Sequence, residues 1–269
     1  MNLGLHGQPR PLGAPARIAP EIWRNYEMVL ATTSTWTVPA NVFQILAMVW
    51  GGGGNGGGGG GGGGGGFAMG IIDVVPGQRL PTITVGAAQA TSSIGTILSA
   101  TGASGATPGA GTIEAGLRMG FTAPGGAGNA ASSSPGAASG SPWGKGGDSP
   151  ATTGLGGQAW GNGTTKTTRG ASTPVSGASG HDGFLALARR GGLPGVGGVD
   201  AADPVGIGCG GFAAADCSTH PVSPFGGGGG GGNGVGGNGG LGGGGGGGSA
   251  GTGGAGGPGA VILFWTEGY

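Results

Sequence analysis

Short runs rich in Val, Ile, Thr and aromatic residues, set off by Gly or Pro, occupy both ends of this chain, and its middle lacks them. Residues 36–39, 42–50, 67–75, 81–86 and 94–100 have this character, as does Ala-Val-Ile-Leu-Phe-Trp-Thr at 260–266. Runs of that length bounded by turn residues predict β-strands. Pro76-Gly77-Gln78 predicts the turn after one of them, because Pro presets φ and Gly supplies a positive φ. An isolated strand as apolar as 260–266 would aggregate. It is therefore expected to return and pair with 42–50, and Trp36, Phe43, Trp50, Phe67, Phe264 and Trp265 are expected in the β-core.

Glycine changes this picture. It supplies 80 of 269 residues and runs unbroken from 51 to 66 except at Asn55. Such a tract has no side chains to bury and loses much backbone freedom on ordering, so it is either a disordered linker or a structure held by main-chain contacts. Residues 101–258 are low in complexity, mostly Gly, Ala, Ser and Thr. Collagen is excluded, because its glycines recur at every third place and these are contiguous. The non-glycines Val235, Asn238 and Leu241, and then Ser249, Thr252, Ala255 and Pro258, are spaced by three. A period of three is that of a polyproline-II-type helix, which puts all side chains on one edge and leaves two edges of bare backbone to meet neighbouring helices.

The predicted fold is mainly β plus polyglycine-II. A small antiparallel β-domain formed from both chain ends (36–103 and 259–269) carries an inserted glycine-rich bundle with irregular loops (104–258), which the tract 51–66 joins. Proline-rich residues 1–35 precede it as an attachment arm, in which 21–30 alone has the apolar bulk to dock.

Charge narrows the functions. Only 7% of residues are charged and ten basic groups balance ten acidic ones, against roughly a quarter charged in a typical soluble chain. Nothing clusters Lys and Arg as phosphate binding requires, so no nucleic-acid partner is expected. Residues 1–20 lack the apolar run of a signal peptide, and 42–50 is too short to cross a bilayer, so no membrane insertion is expected.

Chemistry-bearing motifs are weak. Glycine is so abundant that dinucleotide fingerprints arise by chance. Lys145 has Ser139 where a phosphate loop needs its first glycine and Gly146 where it needs Ser or Thr. Cys209, Asp216, Cys217 and His220 have a Cys-x7-Cys-x2-His spacing unlike the short zinc knuckles. Cys209 and Cys217 are either a single disulfide staple or two plain loop thiols. His181 beside Asp182 has no identifiable third catalytic partner. No enzyme activity, metal or cofactor is expected.

Thr37-Val38-Pro39-Ala40-Asn41-Val42, the strand 43–50, the abrupt Gly51-Gly52-Gly53-Gly54, the strand ending Asp73-Val74-Val75-Pro76-Gly77-Gln78, and Ile83-Thr84-Val85-Gly86 resemble the glycine-rich domain of bacteriophage tail proteins. The glycine run into Gly259-Ala260-Val261-Ile262-Leu263-Phe264-Trp265 resembles that family's ending. More loosely, the chain is similar to the tip adhesins of T-even-like phage long tail fibres, in which polyglycine helices form a sandwich and loops touch the host receptor. The resemblance implies a virion tail protein made in the host cytoplasm. Its expected partners are other tail proteins, through the arm and β-domain, and a bacterial outer-membrane protein, pilus or polysaccharide; monomer and homotrimer both remain open. The short proline-rich arm departs from the adhesins, so their mode of mounting does not transfer.

Within that expectation, bulky and polar residues of the middle region are the receptor-binding candidates: Trp143, Lys145, Trp160, Asn162, Lys166, Arg169, His181, Asp182, Phe184, Arg189, Arg190, Phe212 and Phe225. Aromatics offer large contact area at low entropic cost, though the same rings would also serve as caps at the bundle ends. Ile22, Trp23, Tyr26, Met28, Val29 and Leu30 are the virion-attachment candidates. The alternative is a purely structural attachment or spacer subunit with no receptor contact.

Overall fold

The computed structural model of the chain describes residues 24–30 (as backbone), 32–130, 134, 136–142, 144–149, 228–229, 236–248 and 252–267. Among them there is no helix, and the strands pair antiparallel in two sheets. The larger sheet contains β1 (Arg24–Leu30), β2 (Gln44–Trp50), β3 (Phe67–Asp73), β8 (Gly120–Ala123) and β9 (Ala260–Glu267), in the order β1-β9-β2-β3-β8. The smaller contains β4 (Ile83–Thr84), β5 (Ser92–Ile94), β6 (Leu98–Ala100) and β7 (Gly111–Ile113) in sequence order.

The last strand does return to the first half of the chain. β9 lies between β1 and β2, with Leu46 opposite Phe264 and Trp50 opposite Ala260. Alternation along these strands makes two apolar faces. Ile45, Ala47 and Val49 of β2, Ala68 and Ile72 of β3, and Val261 and Leu263 of β9 meet Ile83, Ile94, Leu98 and Ala100 of the smaller sheet, while Trp36, Val38 and Val42 close the margin. Full burial of each aliphatic side chain there contributes about 1.5–3 kcal/mol. The opposite face collects Met48, Trp50, Phe67, Ala123 and Ile262. Trp50 and Phe67 pack with ring centroids 4.7 Å apart, and the Trp50 indole Nε1 donates to the Gly140 carbonyl at 3.1 Å. That bond ties the sheet to the glycine-rich region.

Several local expectations change. Phe43 precedes β2 and is 64% exposed, so it is not a core residue. It follows Asn41, which has a positive φ of 63°, and its carbonyl accepts from Val74 N, so the backbone joins the sheet margin while the ring stays outside. The run 94–100 is not one strand but the turn and second arm of a hairpin, because Gly95 turns the chain at φ +50°. β7 and β8 fall inside 104–258, where composition suggested only insertion; sheet pairing, not side-chain pattern, makes them strands. Residues 24–30, read as part of the arm, form the edge strand β1. The turn after β3 is as expected, with Gly77 at φ +79° and Gln78 N donating to Val75 O.

The glycine tract leaves β2, reverses where Gly57 N donates to Gly60 O, and returns to β3. Its two limbs are joined by Gly51 N→Gly66 O, Gly54 N→Gly63 O and Gly57 N→Gly60 O, an interval of three residues. The same interval recurs between other segments: Gly53 and Gly56 donate to Gly257 and Gly254, and Gly236, Gly239 and Gly242 to Thr252, Ala255 and Pro258. A β-ladder repeats every two residues and joins a strand to only two neighbours. Along 62–66, successive N–H groups go to Gly245, Gly105, Gly126, Gly242 and Thr101, three flanks in rotation. The carbonyls of Gly62 to Gly66 accept, in order, from Ala137, Gly54, Gly109, Gly140 and Gly51, three further segments. The limb 60–66 is thus held by six surrounding segments, and its residues 61–66 are all buried.

Close approach is what demands glycine here. With few exceptions, such as Gly242 at φ +73°, the described glycines of these segments do not take positive φ. A Cβ on Gly53 would overlap the Gly243 carbonyl, one on Gly64 that of Ala138, and one on Gly245 that of Gly254. In 236–248 and 252–259 the side chains lie outside, with Asn238, Thr252, Ala255 and Pro258 exposed and Leu241 half-buried, whereas the small Ala137, Ala138 and Ser139 are buried.

Candidate functional site

The chain has two poles. β1 begins at Arg24, which is paired with Glu267, and ends at Leu30 beside Val261. The bundle starts from the opposite ends of the strands, at residues 51, 66, 124 and 259. Residues 1–23 therefore join the sheet at its end remote from the bundle, which we call the base.

Residues 150–227 join at the other side. The segment 144–149 runs parallel to 124–130, with Gly146 N donating to Pro124 O and Ser149 N to Ala127 O, so it heads away from β8 and the sheet. The chain is next described at Gly228, which abuts Gly136. Gly136 precedes Ala137, whose N–H binds Gly62 O, close to the Gly57–Gly60 reversal. Both tethers of 150–227 are thus on the bundle.

Of the receptor-binding candidates, Lys145 lies among the described residues. Its Nζ is 2.8 Å and 2.9 Å from the two carboxylate oxygens of Asp148, and Asp148 Oδ1 accepts from Ala127 N at 2.7 Å. Lys145 and Asp148 side chains are 49% and 46% exposed, so the pair is a solvated latch holding 144–149 against 124–130. Trp143, Trp160, Asn162, Lys166, Arg169, His181, Asp182, Phe184, Arg189, Arg190, Phe212 and Phe225 lie outside the described residues, as do Cys209, Cys217, Ile22 and Trp23. Tyr26, Met28, Val29 and Leu30 occupy β1 opposite Trp265, Leu263, Ile262 and Val261. Their backbone is therefore engaged in the sheet.

The base carries exposed apolar side chains that composition did not single out. Phe43 and Val75 are 64% and 65% exposed. Polar groups flank them: Gln44 Nε2 donates to Asp73 Oδ1 at 2.9 Å, and Arg118 Nη1 is 3.9 Å from the same oxygen. Asn41, two residues before Phe43, has a positive φ of 63°, while Val42 between them is buried. Among the described residues no three His, Cys, Asp or Glu side chains gather as metal ligands, and no helix is long and apolar enough to cross a membrane.

The sequence matches no protein-family model, and no curated protein matches it. The geometry of the two poles accordingly carries the functional reading.

Proposed function

We propose that this chain is a non-enzymatic virion protein of a bacteriophage tail, a tail-tip or tail-fibre adhesin that recognises the host bacterial surface. In this reading the glycine segments are polyglycine-II helices. The three-residue interval of the hydrogen bonds and the six neighbours of 60–66 support that assignment, since a threefold helix directs successive N–H groups to three sides. At about 3.1 Å rise per residue, the limb 51–57 extends roughly 20 Å from the sheet. The bundle then acts as a stiff pedestal.

The observation that carries the proposal is the separation of the poles: 1–23 join at the base, and 150–227 are held by the bundle. An adhesin needs this division, with one end for the particle and the other for the receptor. The base and arm would contact other tail proteins. The residues between Ser141 and Phe225 would meet an outer-membrane protein, pilus or polysaccharide on scaffolded loops.

The test is to replace residues 150–225 with a short linker, or with the equivalent region of a phage of different host range, and to measure both particle assembly and adsorption. The expected result is assembled particles with lost or redirected adsorption. Unchanged adsorption by assembled particles would leave a spacer subunit, and particles that lack the polypeptide altogether would remove the virion assignment.

A further inference from the structure

We propose that Asn55 and Asn238 seal the open flank of the glycine bundle and so prevent it from joining the bundle of a second copy of this chain. Segment 252–259 lies on the outside, with Thr252, Ala255 and Pro258 exposed while Gly254, Gly256 and Gly257 are buried. Unlike 60–66, it does not have six neighbours among the described residues. Gly254 N and Gly257 N donate inward to Gly246 O and Gly243 O, and Gly259 N to Gly86 O. Two further amides, between these, take side-chain acceptors: Ala255 N donates to Asn238 Oδ1 and Gly256 N to Asn55 Oδ1, each at 2.9 Å.

The two asparagines come from the segments on either side, and each works with the glycine that follows it. Gly239 N donates to Ala255 O, and Gly56 N donates to Gly254 O. Each Asn-Gly pair therefore both accepts from and donates to the outer segment. Asn55 interrupts an otherwise pure glycine run from 51 to 66, and Asn238 stands alone within Gly236-Gly237-Asn238-Gly239-Gly240. Glycine at either place would satisfy the neighbouring close contacts equally well and would leave a main-chain donor on the flank with no acceptor.

Along 62–66 each such donor is met by the carbonyl of another segment. On the flank, the segment with matching three-residue spacing is the same flank of another copy. The hazard is that of an unpaired sheet edge, which proteins blunt with polar side chains and irregularity. Here the amide side chains occupy the bonding positions and place bulk where a second bundle would have to approach.

The experiment compares wild type, N55G/N238G and N55D/N238D of the full chain by sedimentation velocity over a wide concentration range, with amide exchange read at Ala255 and Gly256. The glycine pair is expected to shift to about double the wild-type mass as concentration rises, the step to a dimer by an isologous contact, with both amides protected in the associated form. The aspartate pair retains the acceptor oxygens and should sediment as wild type. Wild-type mass for the glycine pair at every concentration would overturn the proposal, and so would equal association by the aspartate pair. Should the double variant unfold, the roles of Asn55 and Asn238 would be internal bonding and the proposal would fail, unless folded N238G alone associates.

Discussion

Gly64→Ala and Gly57→Ala should change stability in opposite directions, although both add one methyl to the same glycine tract. At Gly64 the new Cβ would overlap the carbonyl of Ala138, which is rigid backbone. That carbonyl accepts from Gly126 N at 2.8 Å, Gly126 O accepts from Gly64 N at 2.9 Å, and Ala138 N donates to Gly147 O at 3.0 Å. Moving Ala138 breaks its bonds with Gly126 N and Gly147 O, and moving Gly64 breaks its bonds with Gly126 O and Gly109 N, so two bonds are lost either way. Each buried group left unpaired costs about 1–3 kcal/mol, so the loss is about 2–6 kcal/mol. The lower unfolded-state entropy of alanine returns only about 0.4–1 kcal/mol. At Gly57 nothing lies within 4 Å of the new Cβ and φ is not positive. That variant should gain the roughly 0.4–1 kcal/mol with no offsetting loss. Amide exchange at Gly109, Gly126 and Ala138 is the assay, because it reads opening of the bundle separately from unfolding of the sheets. A loss of about 2 kcal/mol corresponds to exchange roughly thirtyfold faster in Gly64→Ala, while Gly57→Ala should match or exceed wild-type protection. Equal protection in the two variants would refute the claim that backbone-to-backbone closeness holds the tract.

Three other outcomes follow from side chains. Trp50→Phe removes the indole donor to Gly140 O and should cost about 1–3 kcal/mol, seen as a lowered denaturation midpoint with faster exchange around residue 140. Leu263→Ala empties a fully buried site between the sheets and should cost about 2–5 kcal/mol; a loss below that range in equilibrium denaturation would mean that β9 is not central. Lys145→Ala breaks a half-exposed ion pair and should cost less than about 1 kcal/mol, so a larger drop in adsorption than in thermal stability would mark Lys145 as a receptor contact.

The β-domain was readable because its strands carry ordinary signals. The run 260–266 is too apolar to stand alone, and β2 is the strand whose glycine flank matches its own, so their pairing follows from burial. The limits of pattern reading appear at Phe43, which an apolar run places in the core but which lies exposed before β2, and at β7 and β8. Gly111 and Gly120 begin those strands, and a strand whose identity rests on ladder bonds to a neighbour leaves little trace in its own residues. In the glycine region the spacing of Asn238, Leu241, Thr252, Ala255 and Pro258 did mark the outer edge. What spacing left unread was the acceptor role of Asn55 and Asn238, because it depends on which segments border the flank, a long-range fact. The candidate site was legible only as composition: aromatic and charged residues stand out between 143 and 225 against Gly, Ala and Ser, and their chain neighbours do not fix their arrangement.

The crowding of main chain against main chain around 60–66 also bears on how this protein can vary over generations. Any single-base change in a glycine codon that alters the amino acid installs at least one carbon beyond the α position, and at Gly53, Gly64 or Gly245 that carbon falls on a neighbouring peptide. Drift at those positions is therefore nearly closed off. At such positions the fold is specified by an amino acid with almost no tolerated alternative, whereas Gly57, with open space about it, is free to vary.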